Sequence, residues 1–230
     1  MRCISLVTAA LLVFAGGVSN AAERKCPATI HNSYQCSQFL ETELAQEFPK
    51  LFTRAGLQLV ISLANGRKKA YVDFPDEKNH GAEGKRYNFV QYYPEIGYGL
   101  IAVQYYEGGT YYLVNMTNGN DKDIISTPKI SPDRKRIAVA NVDLESRFTP
   151  NVLSVFELRS DGLVTEFLEK PADWGPGNLR WENNQEISFM QYQLNPKFDP
   201  KQPDKILVGT PKKLKYRGPH SKDTTKWAIE

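Results

Sequence analysis

Tyrosine is the residue type this chain concentrates. Tyr87, Tyr92, Tyr93, Tyr98, Tyr105, Tyr106, Tyr111 and Tyr112 all fall within one short stretch. A phenol ring has a flat apolar face and one hydroxyl at its edge, which suits both core packing and recognition of a protein or sugar surface. Neighbours on a strand point to opposite faces, so Tyr92-Tyr93, Tyr105-Tyr106 and Tyr111-Tyr112 each send one ring each way. Cross-strand aromatic pairing in a sheet buried on both faces absorbs such pairs. Rings left at a rim form an amphipathic binding patch instead. Tyr92, Tyr93, Tyr105, Tyr106, Tyr111 and Tyr112 are the binding candidates, joined by Trp174. Trp174 and Trp181 bracket Gly175-Pro176-Gly177, which reads as a rigid loop able to present an aromatic edge.

The residues that carry acid–base, nucleophilic or metal chemistry are not arranged for it. The chain has no H-E-x-x-H, no G-x-S-x-G, no P-loop and no dinucleotide fingerprint. Its three histidines (His31, His80 and His220) fall in three separate loop-like segments. His80 has Asp76, Glu77 and Glu83 near it, but that spacing fixes no ligand geometry. Asn118-Gly119-Asn120-Asp121-Lys122-Asp123 has the oxygen donors of a calcium loop without its order or its distal Glu, and a hairpin turn explains it. Asp143 with Glu145, and Glu182 with Glu186, are acid–base candidates only if they face a cleft. The sequence therefore assigns no catalytic residue, no metal site and no cofactor. The long loop Asp143–Pro150 is the second place, after the tyrosine-rich unit, where a site is expected.

The 230 residues are 41% hydrophobic and 24% charged, enough for one domain with a core. A net charge of +3 is too weak to call for nucleic acid. Its clusters (Arg67-Lys68-Lys69, Arg134-Lys135-Arg136, Lys212-Lys213) sit at strand starts and turns, where charge guards sheet edges. Met1 to Ala22 has the outline of a secretory signal peptide: Arg2, an apolar run from Ile4 to Val13, then small residues to Ala21-Ala22. The run is too short to span a bilayer, and no later segment reads as a membrane helix. The expected location is periplasmic or secreted. Cys26 and Cys36 then pair as a disulfide that pins the N-terminal segment.

The elements that must position these residues read as one helix followed by strands. Asn32 to Phe48 places Cys36, Leu40, Leu44 and Phe48 on one side, with Asn32 or Ser33 as cap and Pro49 at the end. Leu57–Leu63 and Ala70–Phe74 form a hairpin about Asn65-Gly66. Later strands fall into units: Tyr87–Ile125, Lys129–Phe167, and a last one from Leu179 to Tyr216. The inner strands Leu100–Val103, Arg136–Val139 and Glu186–Phe189 occupy equivalent places at an irregular period of about 40 residues, the mark of propeller blades.

Ser131-Pro132-Asp133, the strand Lys135–Val139 and the strand Leu153–Leu158 running into Ser160-Asp161-Gly162 resemble the repeat of TolB-type β-propellers, also described as WD40-like repeats. The resemblance covers one unit; Tyr93-Pro94-Glu95 and Trp181-Glu182-Asn183 replace Ser-Pro-Asp in its neighbours. The whole arrangement is similar to that of exported bacterial proteins. Three and a half units are countable, where a closed propeller uses at least four. Either the Leu57–Phe74 hairpin completes a blade with C-terminal strands, or the stack is open and capped by the helix. The expected fold is all-β, a small or incomplete β-propeller-like stack of antiparallel sheets with one N-terminal amphipathic helix. Its divisions are a leader at 1–22, a helical segment at 23–56, the sheets at 57–217 and a tail at 218–230. The expected function is an exported, non-catalytic module that binds a protein partner in the envelope or outside the cell. The alternative is a degenerate propeller hydrolase of a sugar or peptide, which needs a cleft gathering three or more of Asp73, Asp143, Glu145, Glu182 and His80.

Overall fold

The computed structural model describes residues 24–75, 84–105, 108–202, 205–218 and 226–230. The leader at 1–22, Tyr106, His80 with its acidic neighbours and His220 lie outside the described residues. Helix α1 (Ser33–Glu47) starts where Asn32 Oδ1 accepts the Tyr34 and Gln35 amides at 2.9 and 3.1 Å. That cap satisfies two of the amides a helix start leaves open.

The strands described after the helix are all antiparallel and form four meanders. The first sheet holds β1 (Phe52–Ala55), β2 (Gln58–Ser62) and β3 (Lys68–Val72); the second holds β4 (Arg86–Tyr93), β5 (Tyr98–Gln104), β6 (Gly109–Asn115) and β7 (Asp121–Ile124). The third holds β8 (Lys129–Ile130), β9 (Arg136–Asn141), β10 (Val152–Arg159) and β11 (Gly162–Glu169), in the order β8-β9-β10-β11. The fourth holds β12 (Gly175–Asn183), β13 (Glu186–Leu194), β14 (Leu207–Tyr216) and β15 (Trp227–Ile229).

Period-two alternation divides the apolar side chains among three cores. In β5, Ile101 and Val103 join Phe52, Leu59 and Ile61 under the helix residue Leu44. Leu100 and Ala102 face the other way and join Ile137, Val139 and Phe156 of the third sheet. Ala138, Leu153 and Val155 then meet Ile187, Phe189 and Leu214 of the fourth. Among the described residues no buried cluster returns from the fourth sheet to the first. Among the described residues the stack does not close on itself, and β15 extends the fourth sheet rather than the first.

Turns tie successive sheets together. Lys69 donates to Gly119 O at 2.7 Å and Tyr71 to Asp121 at 2.7 Å, joining the first sheet to the β6–β7 turn. Asn118 and Asn120 of that turn donate to Ser160 O at 3.2 Å and Asp161 O at 2.7 Å in the third sheet. The Asp133 amide donates to Asn184 Oδ1 at 3.0 Å in the fourth. The Ser-Pro-Asp turn is closed by its own side chains, Ser131 Oγ to Asp133 at 2.7 Å and the Arg136 amide to Ser131 Oγ at 3.0 Å.

Three segments differ from the sequence expectation. β1 lies before residue 57, and β15 lies in the stretch read as a tail. Gly175-Pro176-Gly177 is not a loop but the start of β12, paired with Tyr192, Gln191 and Met190. Glycine is required there by close approach: a Cβ on Gly175 would stand 2.8 Å from Asn151 Oδ1 and would also strike Val142. β14 runs unbroken through Pro211, which a strand tolerates where no neighbour needs its missing N–H; β15 pairs only with Leu214 to Tyr216. β15 is anchored through buried Glu166 of β11. Its carboxylate accepts Arg136 Nε at 2.6 Å, Lys226 Nζ at 3.0 Å and Trp227 Nε1 at 3.2 Å.

Candidate functional site

Two adjoining cavities open beside the second sheet, one toward the helix and one toward the third sheet. The first, about 660 Å³, lies between the N-terminal half of α1 and the face of β4–β6 that looks toward the third sheet. Its apolar lining includes Leu40, Val90, Leu100 and Ala102, and its aromatic lining Tyr34, Tyr93, Tyr105 and Tyr111. Gln91, Gln104, Thr110 and Arg24 supply polar groups. The second, about 540 Å³, lies between β6–β7 and β10–β11 and is lined by Phe148, Pro150, Val152, Phe156 and Leu168, with Lys122, Asp123 and Lys170. Tyr105, Gly109 and Thr110 line both, so the two adjoin and together make up the candidate groove.

Alternation brings Tyr93 and Tyr111 to it, while Tyr105, just past the end of β5, lines its rim. Their strand neighbours turn to the opposite face: Tyr92 packs edge-on against Phe48 at 5.3 Å, and Tyr112 joins Tyr71 and Tyr87 at 6.1 Å from each. Trp174 stacks on Phe189 at 6.1 Å in the third core. Tyr93 is buried, Tyr111 half-buried and Tyr105 exposed. Tyr106 lies outside the described residues.

Tyr105 is held from behind. The Lys85 ammonium sits 5.5 Å from its ring centre, 5.2 Å from that of Tyr87 and 5.5 Å from that of Tyr112, and donates to Tyr112 Oη at 3.3 Å. Hydrogen bonding to Tyr87 outweighs burial and raises the Lys85 pKa, so the cation persists. Burial raises the Tyr105 phenol above its ordinary value despite that cation. Gln104 donates to Ser37 Oγ at 3.2 Å across to the helix, while its Oε1 is buried without a donor among the described residues.

The loop 143–150 forms the outer wall. Asp143 accepts the Ser146 hydroxyl, the Arg147 amide at 3.0 Å and the Thr149 amide at 2.8 Å. These bonds, led by that of Ser146, hold its carboxyl down at about 2. The loop thereby fixes Phe148, a groove residue that the composition of the loop does not single out. Tyr34, on the polar side of the helix pattern, was likewise missed, since nothing local marks it as facing a sheet.

Three of the carboxylates named for acid–base work are engaged in separate parts of the fold. Asp73 binds the Tyr87 amide at 2.8 Å and Arg54 at 3.3 Å, Asp143 closes its own loop, and Glu182 pairs with Arg180 at 2.6 Å and Ser188 at 2.6 Å. Among the described residues no three His, Cys, Asp or Glu side chains come together as a metal site. Cys26 and Cys36, both at the groove, form the disulfide, with Cα atoms 5.6 Å apart. Among the described residues no helix is long and apolar enough to cross a membrane.

No protein-family model matches the chain, and no curated protein aligns with it significantly.

Proposed function

We propose that this protein is an exported, non-catalytic binding module that takes a segment of a partner protein into the groove made by the two adjoining cavities beside its second sheet. The observation that carries the reading is the adjacency of the two cavities at Tyr105, Gly109 and Thr110, with an apolar floor and tyrosine, amide and hydroxyl groups on the walls. Apolar concavities with a few convergent polar groups are where proteins bind ligands. The groove lining contains one carboxylate, Asp123, which already accepts the Thr110 hydroxyl. That lends nothing to the hydrolase alternative. The disulfide supports export through the 1–22 leader, and the four-strand meanders support a shortened relative of TolB-type propellers.

Affinity capture from the envelope fraction of the source cell tests the proposal, using wild type and Tyr105→Ala, with Leu194→Ala as a control on an exposed residue away from the groove. A partner lost with Tyr105→Ala and kept with Leu194→Ala is the expected result. Equal capture by all three proteins overturns it.

A further inference from the structure

We infer that the outer half of the groove selects a peptide segment that combines apolar side chains with carboxylates. This deepens the proposed function and rests on it. Three exposed large hydrophobic residues line this one cavity: Phe148 is 64% exposed, Leu168 50% and Tyr105 42%. Phe148 is presented rigidly. Besides the Asp143 bonds, Asn141 donates to Thr149 Oγ1 at 3.0 Å and to Pro150 O at 2.8 Å, and the Asp143 amide donates to Asn151 Oδ1 at 2.7 Å. An aromatic anchor on a loop ordered in advance loses little entropy on binding.

The charge on the walls is one-sided. Lys122 on β7 and Lys170 just past β11 flank the apolar floor from opposing sheets, and among the described residues neither makes an ion pair. Lys122 lies 5.9 Å from the Phe156 ring centre, so its cation stands over the floor. The single carboxylate there, Asp123, is engaged by Thr110. Two separated cations over an apolar floor match two carboxylates spaced along a chain. The exposed side-chain hydroxyl of Thr165 on the same wall offers a hydrogen bond to a peptide backbone. A fatty acid, with one charge and no amides, would use less of this surface.

The test is fluorescence anisotropy with the full chain and three short labelled peptides. One combines Glu with Leu and Phe, the second replaces Glu by Lys, and the third replaces it by Ser. The acidic peptide is expected to bind about tenfold or more tighter than the basic one, with the gap narrowing in high salt. Lys122→Glu with Lys170→Glu reverses the order, and Phe148→Ala weakens the acidic peptide about tenfold. All three substitutions are at solvent-facing positions, and an unchanged melting curve verifies the fold of each variant. Equal binding of all three peptides, lost in Phe148→Ala, overturns the charge selection but keeps the groove as a protein-binding site. Absence of peptide binding, displacement of the acidic peptide by oleate but not by unlabelled peptide, or dimerisation abolished by Phe148→Ala each overturns the inference. The capture experiment then judges the broader reading separately.

Discussion

Glu41 on the helix accepts two hydrogen bonds from Arg54 on the first strand, each at 2.8 Å. The same carboxylate takes the Phe89 amide at 3.0 Å and Asn88 Nδ2 at 3.1 Å on the inner edge of the second sheet. One side chain thus holds α1, which walls the groove, to two sheets at once. Arg54 also donates to Asp73 and to Tyr87 O, so the junction is a network rather than a pair.

Removing one member of such a network leaves the other charge buried. Glu41→Ala is expected to cost about 3 kcal/mol, read as a lower urea midpoint at unchanged slope. Glu41→Leu combined with Arg54→Met recovers a good part of that loss, because neither charge then remains.

Glu166 makes the pH dependence of the fold testable. Burial alone raises its pKa, but the bonds from Arg136, Lys226 and Trp227 outweigh burial and hold it below the ordinary 4.5. A folded-state pKa below the unfolded one contributes stability above the unfolded value, and that contribution is lost as pH falls through the folded value. Glu166→Gln should therefore be less stable than wild type by about 2 kcal/mol at pH 7. The difference should shrink below about pH 4.5, in melts that also report release of β15 through Trp227 fluorescence.

Gly175→Ala drives a methyl group into Val142 and toward Asn151 Oδ1, with an expected cost of about 2 kcal/mol. Val142→Ala in the same chain restores part of the stability if overpacking is the cause. Asn151 Oδ1 also receives the Asp143 amide, so faster hydrogen exchange in 143–150 should accompany the Gly175 change.

Reduction of Cys26–Cys36 opens a short loop and should cost about 2–3 kcal/mol. The Cys26→Ser/Cys36→Ser variant is expected to lose protection at the start of α1 and to bind groove ligands more weakly, since both residues line the first cavity.

Tyr93→Ala and Tyr105→Ala should separate sharply. Tyr93 is core, and its truncation costs about 3 kcal/mol or more; Tyr105 is exposed, and its loss should leave the melting temperature nearly unchanged.

That contrast shows how far the sequence carries. The adjacent pairs Tyr92-Tyr93 and Tyr111-Tyr112 state that rings diverge, because strand geometry is local. They do not state which face meets the next sheet, since that depends on residues such as Ile137 and Phe156 far along the chain. The Asn65-Gly66 turn and the Asn32 cap were legible for the same local reason. The helix face was not. Its apolar side was read from Cys36, Leu40, Leu44 and Phe48, yet Ser37 and Glu41 are buried beside Leu44, and only a partner on another strand makes a buried Glu tolerable. β15 hid for a similar cause, being three residues fixed by a carboxylate on β11. Gly175 and Pro211 look like breaks because the pressure of Val142 and the reach of β15 are invisible in a linear string.

The open stack makes the domain behave as a one-dimensional array in which each sheet draws stability from its nearest neighbours. The second and third sheets have a packed face on both sides, while the first and fourth each end the row. Fraying starts at the ends and reaches the middle last. The second cavity occupies the seam between the two middle sheets, the part of the row where thermal opening is rarest, so a ligand there meets walls that stay assembled even while the terminal sheets breathe.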